Sequence, residues 1–383
     1  MTQSPSPTLP GSRAQTLASA ESLVSAYEKA GYTRAHPGIL QLAEPFLDLS
    51  GEDIRARMFL TSGRSGEELC LRPDFTIPVS RDYLTSEVAG RPHGYCYLGP
   101  VFRDRGALPG EFLQAGIESF GRSDKAAADA ETLALGLEAT AHFGMDTPDI
   151  RMGDVGLFVA MVRALDLAPA WKQRLIKDFS RKASLAQDLD RLSLATANGR
   201  PDYQGVLAAL TGSDPKAAHA LITDLLSIAG ISAVGGRSIG EIADRFLEQS
   251  ALDASATLPP YTRSLIERFF SISSDPLEAS ATMRSLAHDA GIVLTPTLDL
   301  FDARNAEIAR RGIDLKRITF SSSFGRGMDY YTGFVFELRD GTGEEPLVAG
   351  GRYDDLLTRL GAPEPIPAVG FSVWIERLAG GAS

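Results

Sequence analysis

Cysteine is scarce in this sequence of 383 residues, which contains only Cys70 and Cys96. Both lie in strand-like apolar runs, so they are typical of small buried side chains rather than of a disulfide framework or a metal site. We therefore expect no metal site, and we expect a cytoplasmic protein, because the cytoplasm keeps thiols reduced.

Long hydrophobic runs are also missing, since no segment approaches the ~18 consecutive apolar residues of a membrane-spanning helix. The opening segment Met1–Gly11 is rich in serine and proline, and it lacks the basic start and apolar stretch of a signal peptide. The sequence therefore predicts no membrane partner, and residues 1–12 are expected to form a disordered tail.

An excess of positive charge is absent as well. The 38 lysine and arginine residues are outnumbered by 49 aspartate and glutamate residues, which gives a formal net charge of −11. A net negative charge repels a polyanion. We therefore expect no nucleic-acid partner.

The hydrophobic pattern predicts an α+β fold. A helix is expected at Ala14–Ala30, where apolar residues recur at helical spacing. Strand-like runs are rich in aromatic and branched residues, and their short connections favour antiparallel pairing. These runs are Glu68–Leu71, Tyr95–Phe102, Phe112–Phe120, Arg317–Phe324, Phe334–Leu338, Leu347–Ala349 and Ala368–Phe371.

The two groups of strands are separated by a stretch with helical patterns. Near its end, Asp275, Pro276 and Glu278 form a helix-start signal, and Gly291 is a plausible stop. The sequence therefore predicts a discontinuous core, residues 13–160 and 292–383, interrupted by a helical insertion at residues 161–291.

Four segments place charged side chains beside glycine, proline or aromatic residues at the ends of strand-like runs. They are Cys70–Thr76, Gly99–Arg105, Gly325–Tyr331 and Gly350–Asp354. This combination lets backbone and fixed charge approach a small ligand together. One such segment alone is more typical of a paired surface arginine or of tyrosine packing, so the indication of a site depends on the set.

Taken together and in this order, the segments resemble the histidyl-tRNA synthetase branch of the class II aminoacyl-tRNA synthetases, over roughly Ala14–Thr147 and Leu294–Leu378. RGMDYY and GGRYDDL are similar to the two histidine motifs of that branch, and PAVGFSVWIERL is similar to class II motif 3. Pro45 stands where the proline of the class II dimer interface would be. The resemblance implies a class II synthetase-like antiparallel sheet flanked by helices, and a homodimer.

The resemblance also implies a histidine pocket, with no catalytic residue and no cofactor. Its contacting residues would be Asp74, Thr76, Arg103, Gln114, Glu118, Arg326, Tyr330 and Tyr331, supported by Gly350, Gly351, Arg352 and Tyr353. An anionic side chain suits the ammonium group of an amino acid, and arginine suits its carboxylate. Tyrosine and glutamate can hydrogen-bond an imidazole.

Three features depart from the synthetase pattern. The loop between Arg105 and Phe112 contains no basic residue, which argues against ATP binding and adenylate formation. Asp74 and Phe75 replace a Glu-Gly pair, so the mouth of the pocket is expected to be reshaped. The chain ends at Ser383, five residues after Leu378. An anticodon-binding domain is therefore not expected, because a domain needs at least about 50 residues.

This combination resembles the regulatory subunits of ATP phosphoribosyltransferase, which are paralogues of histidyl-tRNA synthetase. LRPDFT and GEFLQAGIESFG are similar to that family's versions of the shared motifs. The resemblance implies a protein that is not an enzyme. Its partner would be the short-form catalytic subunit, in a hetero-octamer that performs the first step of histidine biosynthesis under feedback by histidine.

Two alternatives remain open at this stage. Arg103 and Arg326 would permit an enzyme that activates histidine as an adenylate without charging tRNA. A dimeric scaffold with a vestigial pocket is compatible with every motif if histidine does not bind.

Overall fold

The computed structural model of the protein describes residues 10–179, 260–326, 328, 330–341 and 345–380, together with 184–187, 189, 190, 220 and 224. The chain divides into two compact units, of which the first comprises residues 1–161 and 268–383 and the second residues 162–267. Most of the predicted tail, and much of the predicted insertion, lie outside the described residues. No helix in the described ranges is long and apolar enough to cross a membrane.

The strands within the described ranges are short at the edges of the sheets and long in the middle. They are β1 (Thr33–Arg34), β2 (Leu40–Leu42), β3 (Leu60–Ser62), β4 (Glu68–Leu71), β5 (His93–Phe102), β6 (Glu111–Phe120), β7 (Asp149–Asp154), β8 (Ser273–Ser274), β9 (Ile318–Ser321), β10 (Phe334–Arg339), β11 (Val348–Arg352) and β12 (Ala368–Trp374).

The helices of the described ranges follow the same chain order. They are α1 (Pro10–Lys29), α2 (Glu44–Leu49), α3 (Glu52–Arg55), α4 (Thr76–Leu84), α5 (Lys125–His142), α6 (Val155–Ala164), α7 (Pro169–Lys177), α8 (Pro260–Phe270), α9 (Pro276–Ala290), α10 (Thr295–Arg310), α11 (Leu356–Arg359) and α12 (Ile375–Gly380). Helix α1 begins at Pro10, so residues 10–12 are helical and do not belong to the disordered tail predicted for residues 1–12.

The main sheet of the described residues has nine strands, in the order β1-β5-β6-β12-β11-β10-β7-β9-β8. The six central strands, β5-β6-β12-β11-β10-β7, are joined by antiparallel pairs. This agrees with the antiparallel pairing that the short connections predict. Strands β1 and β9 extend this platform through parallel pairs, which the sequence analysis did not foresee. A smaller sheet has the order β2-β4-β3.

Alternate side chains of β6 point to the same face of the sheet and form part of the site. Phe112, Gln114, Glu118 and Phe120 are two or four positions apart, so they share a face of the sheet. All four are buried, and no lysine or arginine lies among them. This face adjoins the apolar cluster formed with α2, α4 and α11. Gln114 and Glu118 are therefore polar side chains held inside an apolar layer.

Helix α9 forms as its capping signals predict. The Asp275 side chain accepts hydrogen bonds from the backbone N–H of Leu277 and Glu278 at 2.9 and 3.1 Å. Gly291 ends the helix with a φ of 65°, a left-handed conformation that glycine adopts at low cost.

The predicted end of the insertion at residue 291 differs from the observed division, which assigns residues from Arg268 onward to the first unit. Helix α9 packs against α10 and β9 of that unit and buries Ala279, Met283 and Leu286. Its helical pattern alone predicts a place in the insertion, but its apolar face belongs to the core around the sheet.

Candidate functional site

A narrow cleft opens over the sheet where β6, β11 and β12 meet the segment before α4. Its lining residues are Asp74, Thr76, Arg103, Gln114, Arg326, Met328, Tyr330, Tyr331, Ala349, Ser372 and Trp374. The structure thus brings together seven of the eight side chains that the sequence analysis assigned to a histidine pocket. The eighth, Glu118, does not line the cleft.

The cleft is almost closed. About 240 Å³ of it is free of protein atoms, but water-sized spheres can be centred in only about 10 Å³. That space suits roughly one water molecule. Met328 contributes to this closure, because it lines the cleft and its sulfur accepts a hydrogen bond from the Tyr330 hydroxyl at 2.7 Å. A ligand of amino-acid size would therefore have to displace side chains.

Five buried polar atoms of the lining residues have no hydrogen-bond partner among the described residues. Two are acceptors, Asp74 Oδ2 and Gln114 Oε1, and three are donors, Arg103 Nη2, Arg326 Nε and Trp374 Nε1. More than about 90 % of buried polar groups in proteins are hydrogen-bonded, so a convergent group of exceptions indicates a place for a polar ligand or water. Unpaired acceptors and donors together fit a ligand that carries both signs of charge.

Asp74 and Arg103 are the buried charges of the cleft. Burial raises the pKa of Asp74, and the nearby Arg103 guanidinium and backbone N–H groups oppose that rise. Burial lowers the pKa of Arg103 to about 10, so this group remains cationic at neutral pH. The Arg103 Nε donates to the Pro73 carbonyl at 2.7 Å, which ties the guanidinium to the backbone of the residue before Asp74.

Glu118 lies behind Thr76, within a cage of hydroxyl groups. Its Oε1 accepts from the Thr76 hydroxyl at 2.8 Å and from Tyr97 at 3.5 Å, and its Oε2 accepts from the Tyr353 hydroxyl. Burial raises the pKa of Glu118 to about 8, although the hydrogen bonds from Tyr353 and Thr76 lower it. The carboxyl group is therefore mostly neutral at pH 7.

The raised pKa of Glu118 predicts a pH dependence of stability. The folded-state pKa of about 8 exceeds the ordinary value of 4.5. The contribution of this group to the free energy of unfolding is therefore complete below the unfolded pKa, falls as the pH rises, and is lost above the folded pKa. We expect Glu118→Gln to flatten the decline in stability between these two values, measured by urea denaturation. Equal pH slopes in both proteins would contradict the assignment.

The register of the sheet explains why small residues surround Glu118. Gly370 of β12 lies opposite Glu118 of β6, and Gly351 of β11 lies opposite Gly370. A Cβ atom at Gly370 would collide with the Glu118 carboxyl group, and one at Gly351 would collide with the Phe334 carbonyl and press on the Tyr331 ring. Gly350 is equally crowded, by the backbone and side chain of Phe371. Gly370 therefore makes room for the Glu118 side chain, whereas Gly350 and Gly351 allow close approach of the neighbouring strands.

The remaining predicted support residues have separate roles. The Tyr353 hydroxyl donates a hydrogen bond to Glu118. The Arg352 guanidinium instead pairs with the carboxylates of Asp129 and Asp354, with N···O distances of 2.6 and 2.8 Å. Neither residue lines the cleft.

Phe75 does not lie at the mouth of the pocket, contrary to the prediction. Its ring is buried and stacks on Tyr97 with centroids 4.3 Å apart, and the Arg72 guanidinium covers it at 4.0 Å. The aromatic ring therefore shapes the layer beneath the Glu118 cage.

The turn between β5 and β6 is a tight hairpin. The Arg103 N–H donates to the Gly110 carbonyl at 2.9 Å, and the Gly106 N–H donates to Asp104 Oδ1 at 2.9 Å. Arg105 lies over the Phe112 ring at 4.8 Å rather than over the cleft. Apart from Arg103, this turn supplies no cation to the cleft lining.

Four lining residues were not assigned by the sequence analysis: Met328, Ala349, Ser372 and Trp374. Trp374 pairs with Gln114 in the β6/β12 ladder, and Ser372 pairs with both Gly116 and Ala349. Period-two alternation in β12 connects Trp374 to Ser372, but only the strand register shows that they face Gln114. Within the described residues, no group of three His, Cys, Asp or Glu side chains could hold a metal ion.

Comparisons with known proteins agree with this fold. The family model described as histidyl-tRNA synthetase matches residues 7–235 and 220–378. The ATP phosphoribosyltransferase regulatory subunits of Brucella canis and Brucella ovis are each 42 % identical over 345 residues, which cover 89 % of this chain and 90 % of theirs.

Solved structures show the same fold at lower identity. An ATP phosphoribosyltransferase regulatory subunit/histidyl-tRNA synthetase from Bacillus halodurans aligns with a TM-score of 0.66 and 21 % identity, over 100 % of this chain and 84 % of that one. A histidine–tRNA ligase subunit from Alicyclobacillus acidocaldarius aligns with a TM-score of 0.57 and 23 % identity, over 100 % and 97 %. The predicted class II synthetase-like fold is confirmed, and the chain belongs to the family of ATP phosphoribosyltransferase regulatory subunits, within the histidyl-tRNA synthetase-like proteins.

Proposed function

We propose that this protein is a non-catalytic regulatory subunit of ATP phosphoribosyltransferase that binds histidine in the cleft. It would be required for the activity and the histidine feedback of a short-form catalytic subunit, in a cytoplasmic hetero-octamer that performs the first step of histidine biosynthesis. The observation that carries the proposal is the convergence of unpartnered buried donors and acceptors in a closed cleft. The name shared by its relatives supports the choice of complex.

The chemistry of the cleft suits a free amino acid. Asp74 Oδ2 and Gln114 Oε1 can accept from an ammonium group, while Arg103 Nη2 and Arg326 Nε can donate to a carboxylate. The hydroxyl groups of Tyr330 and Tyr331, which line the cleft, offer hydrogen-bond partners for an imidazole. A ligand without ring nitrogens would leave these buried groups unpaired, and such loss gives strong discrimination.

Beyond Arg103 and Arg326, which the proposal assigns to the ligand carboxylate, the arginines next to the cleft argue against adenylate chemistry, because each is engaged elsewhere. Arg105 is stacked on Phe112, and Arg377 donates to the Pro346 carbonyl at 2.7 Å and pairs with Glu345 at 2.6 Å. Transfer of a nucleotidyl group needs positive charge placed on the phosphates. We expect no histidine-dependent ATP–pyrophosphate exchange and no charging of tRNA. Exchange at a rate typical of a synthetase would favour the adenylate-forming alternative.

Isothermal calorimetry with histidine separates the proposal from a scaffold with a vestigial pocket. The regulatory reading requires saturable, one-to-one binding per chain, since a ligand shifts an assembly only by binding its states with different affinity. Histidinol, which lacks the carboxylate, should bind more weakly, because Arg103 and Arg326 would lose their partner. If millimolar histidine produces no binding heat and does not compete with histidinol, the result would support the scaffold with a vestigial pocket.

We propose that the chain forms a homodimer through the smaller sheet and the adjoining helix α2, which contains Pro45. Apolar side chains there remain exposed: Ile39, Leu40, Leu42, Phe59 and Leu60 are each at least 40 % exposed. Exposed apolar groups of this density are typical of an interface. We expect a dimer in light scattering at micromolar concentration, and Leu40→Glu together with Leu60→Glu should produce monomers. A wild-type monomer would contradict the proposal.

A further inference from the structure

A second buried cluster of charge lies beside the cleft. At its centre is Asp129 of α5, which is fully buried. It accepts from Arg352 Nε and Nη2 at 2.9 and 2.6 Å, and from Arg304 Nη1 at 3.2 Å. Arg304 of α10 also donates Nη2 to Asp154 at 2.5 Å. The cluster therefore joins two helices to strands β7 and β11.

The cluster is balanced in charge. Arg352 also pairs with Asp354 at 2.8 Å, and Lys125 pairs with Asp354 at 2.6 Å. Three carboxylates thus face three cations. Buried ion clusters of this kind add little net stability compared with apolar packing, because desolvation offsets the attraction. A role in fixing geometry accounts for the cluster better than stability does.

A series of hydrogen bonds connects the cluster to the cleft through the segment that follows Arg352. Tyr353 donates its hydroxyl to Glu118, and the Asp354 N–H donates to Thr332 Oγ1 at 3.0 Å. The Thr332 N–H donates to the Arg352 carbonyl at 2.8 Å. Thr332 directly follows Tyr331, which lines the cleft. The position of Arg352 therefore sets both the Glu118 cage and the tyrosine wall.

A second series of hydrogen bonds connects the cluster to the start of helix α6. Asp154 Oδ1 accepts from the N–H groups of Gly156 and Leu157 at 2.8 and 3.3 Å. The Val155 N–H donates to the Gly333 carbonyl at 2.9 Å. Helix α6 is the segment through which the chain leaves the first unit. The same few contacts therefore connect the cleft wall to the beginning of that helix.

We infer that Asp129 is a positioning residue for the ligand cleft: by holding Arg352 and Arg304 together, it fixes Tyr353 in the Glu118 cage and Tyr331 in the cleft wall, and conveys occupancy of the cleft to the start of helix α6. The inference rests on the proposed function for the identity of the ligand, histidine. The positions that Asp129 fixes in the ligand-free protein do not depend on which ligand binds.

Asp129→Asn tests this role while keeping the shape of the side chain. Each arginine keeps another carboxylate, Asp154 or Asp354, so neither buried cation is left without a counterion. In the ligand-free variant we expect faster hydrogen exchange at the backbone amides of Thr332, Tyr353 and Asp354, which are called the cleft amides below. Histidine should bind about twofold to thirtyfold more weakly, the range for substitutions that act through a network.

The matched control is Arg284→Ala, which breaks exposed ion pairs with Asp299 and Asp302 between α9 and α10. It should change neither the exchange of the cleft amides nor histidine binding. Arg352→Lys keeps the charge but loses the paired donation to Asp129. It should reproduce the exchange pattern of Asp129→Asn, and it decides the question if Asp129→Asn does not fold.

The readouts separate this inference from the proposed function. Histidine should slow exchange at residues 155–157 in the wild type, and this protection should be lost in Asp129→Asn. Unchanged cleft amides in both folded variants, or bound histidine that leaves residues 155–157 unaffected, would overturn the inference. If the wild type binds no histidine but the variants still loosen the cleft amides, the ligand assignment fails and the positioning role stands.

Discussion

Arg326→Ala is expected to weaken histidine binding about tenfold to a hundredfold without loss of the fold. The guanidinium lines the cleft and keeps an unpartnered Nε, so it is placed to donate to the ligand carboxylate. A charge-assisted hydrogen bond of this kind contributes roughly 1.5–3 kcal/mol. Isothermal calorimetry measures the change.

Arg339→Ala provides the control for this result. Arg326 and Arg339 both bind the buried Glu337, at 3.1 and 2.6 Å, but only Arg326 lines the cleft. Removal of either arginine leaves Glu337 with one cation. The two variants should therefore lose similar stability, and only Arg326→Ala should lose affinity. Equal histidine affinity in both variants would show that the cleft does not hold the ligand.

Gly370→Ala is expected to destabilise the protein and to disrupt the cleft from behind. The added Cβ would collide with the Glu118 carboxylate and with the Ile117 carbonyl, and the latter belongs to the sheet backbone and cannot move aside easily. Overpacking of a buried site typically costs about 1–3 kcal/mol. Urea denaturation should show this loss, and histidine affinity should fall because Glu118 is displaced.

Gly38→Ala is the matched control, because its Cβ would meet only ordinary contacts at 3.6 Å. It should leave both stability and histidine affinity close to those of the wild type. Stability of Gly370→Ala equal to that of Gly38→Ala would contradict the packing described around Glu118.

Local patterns predicted the central strands and the helix caps. The runs found in the sequence correspond to β4, β5, β6, β9, β10, β11 and β12, because each combines aromatic or branched residues with a clear stop. Strands β1, β2, β3, β7 and β8 were missed. Thr33–Arg34 and Ser273–Ser274 are too short to show a period, and Asp149–Asp154 carries charges at both ends. Their strand character depends on pairing with distant segments.

The site was predictable as a set of residues but not as a geometry. The resemblance of the motifs identified seven lining residues, whereas Glu118 proved to lie behind Thr76. Nothing in the local sequence shows that Tyr97, Thr76 and Tyr353 would enclose that carboxyl group. The contacts span 21, 42 and 235 positions along the chain, so they depend on the register of the sheet.

Reconstitution with a short-form ATP phosphoribosyltransferase catalytic subunit tests the central claim most directly. The two proteins should co-purify, and the catalytic subunit should be active only when this protein is present. Histidine should inhibit the wild-type assembly, and the assembly with Arg326→Ala should need about tenfold to a hundredfold more histidine for the same inhibition, as the loss of one charge-assisted hydrogen bond requires. A catalytic subunit with unchanged activity and unchanged histidine response, with or without this protein, would contradict the regulatory function.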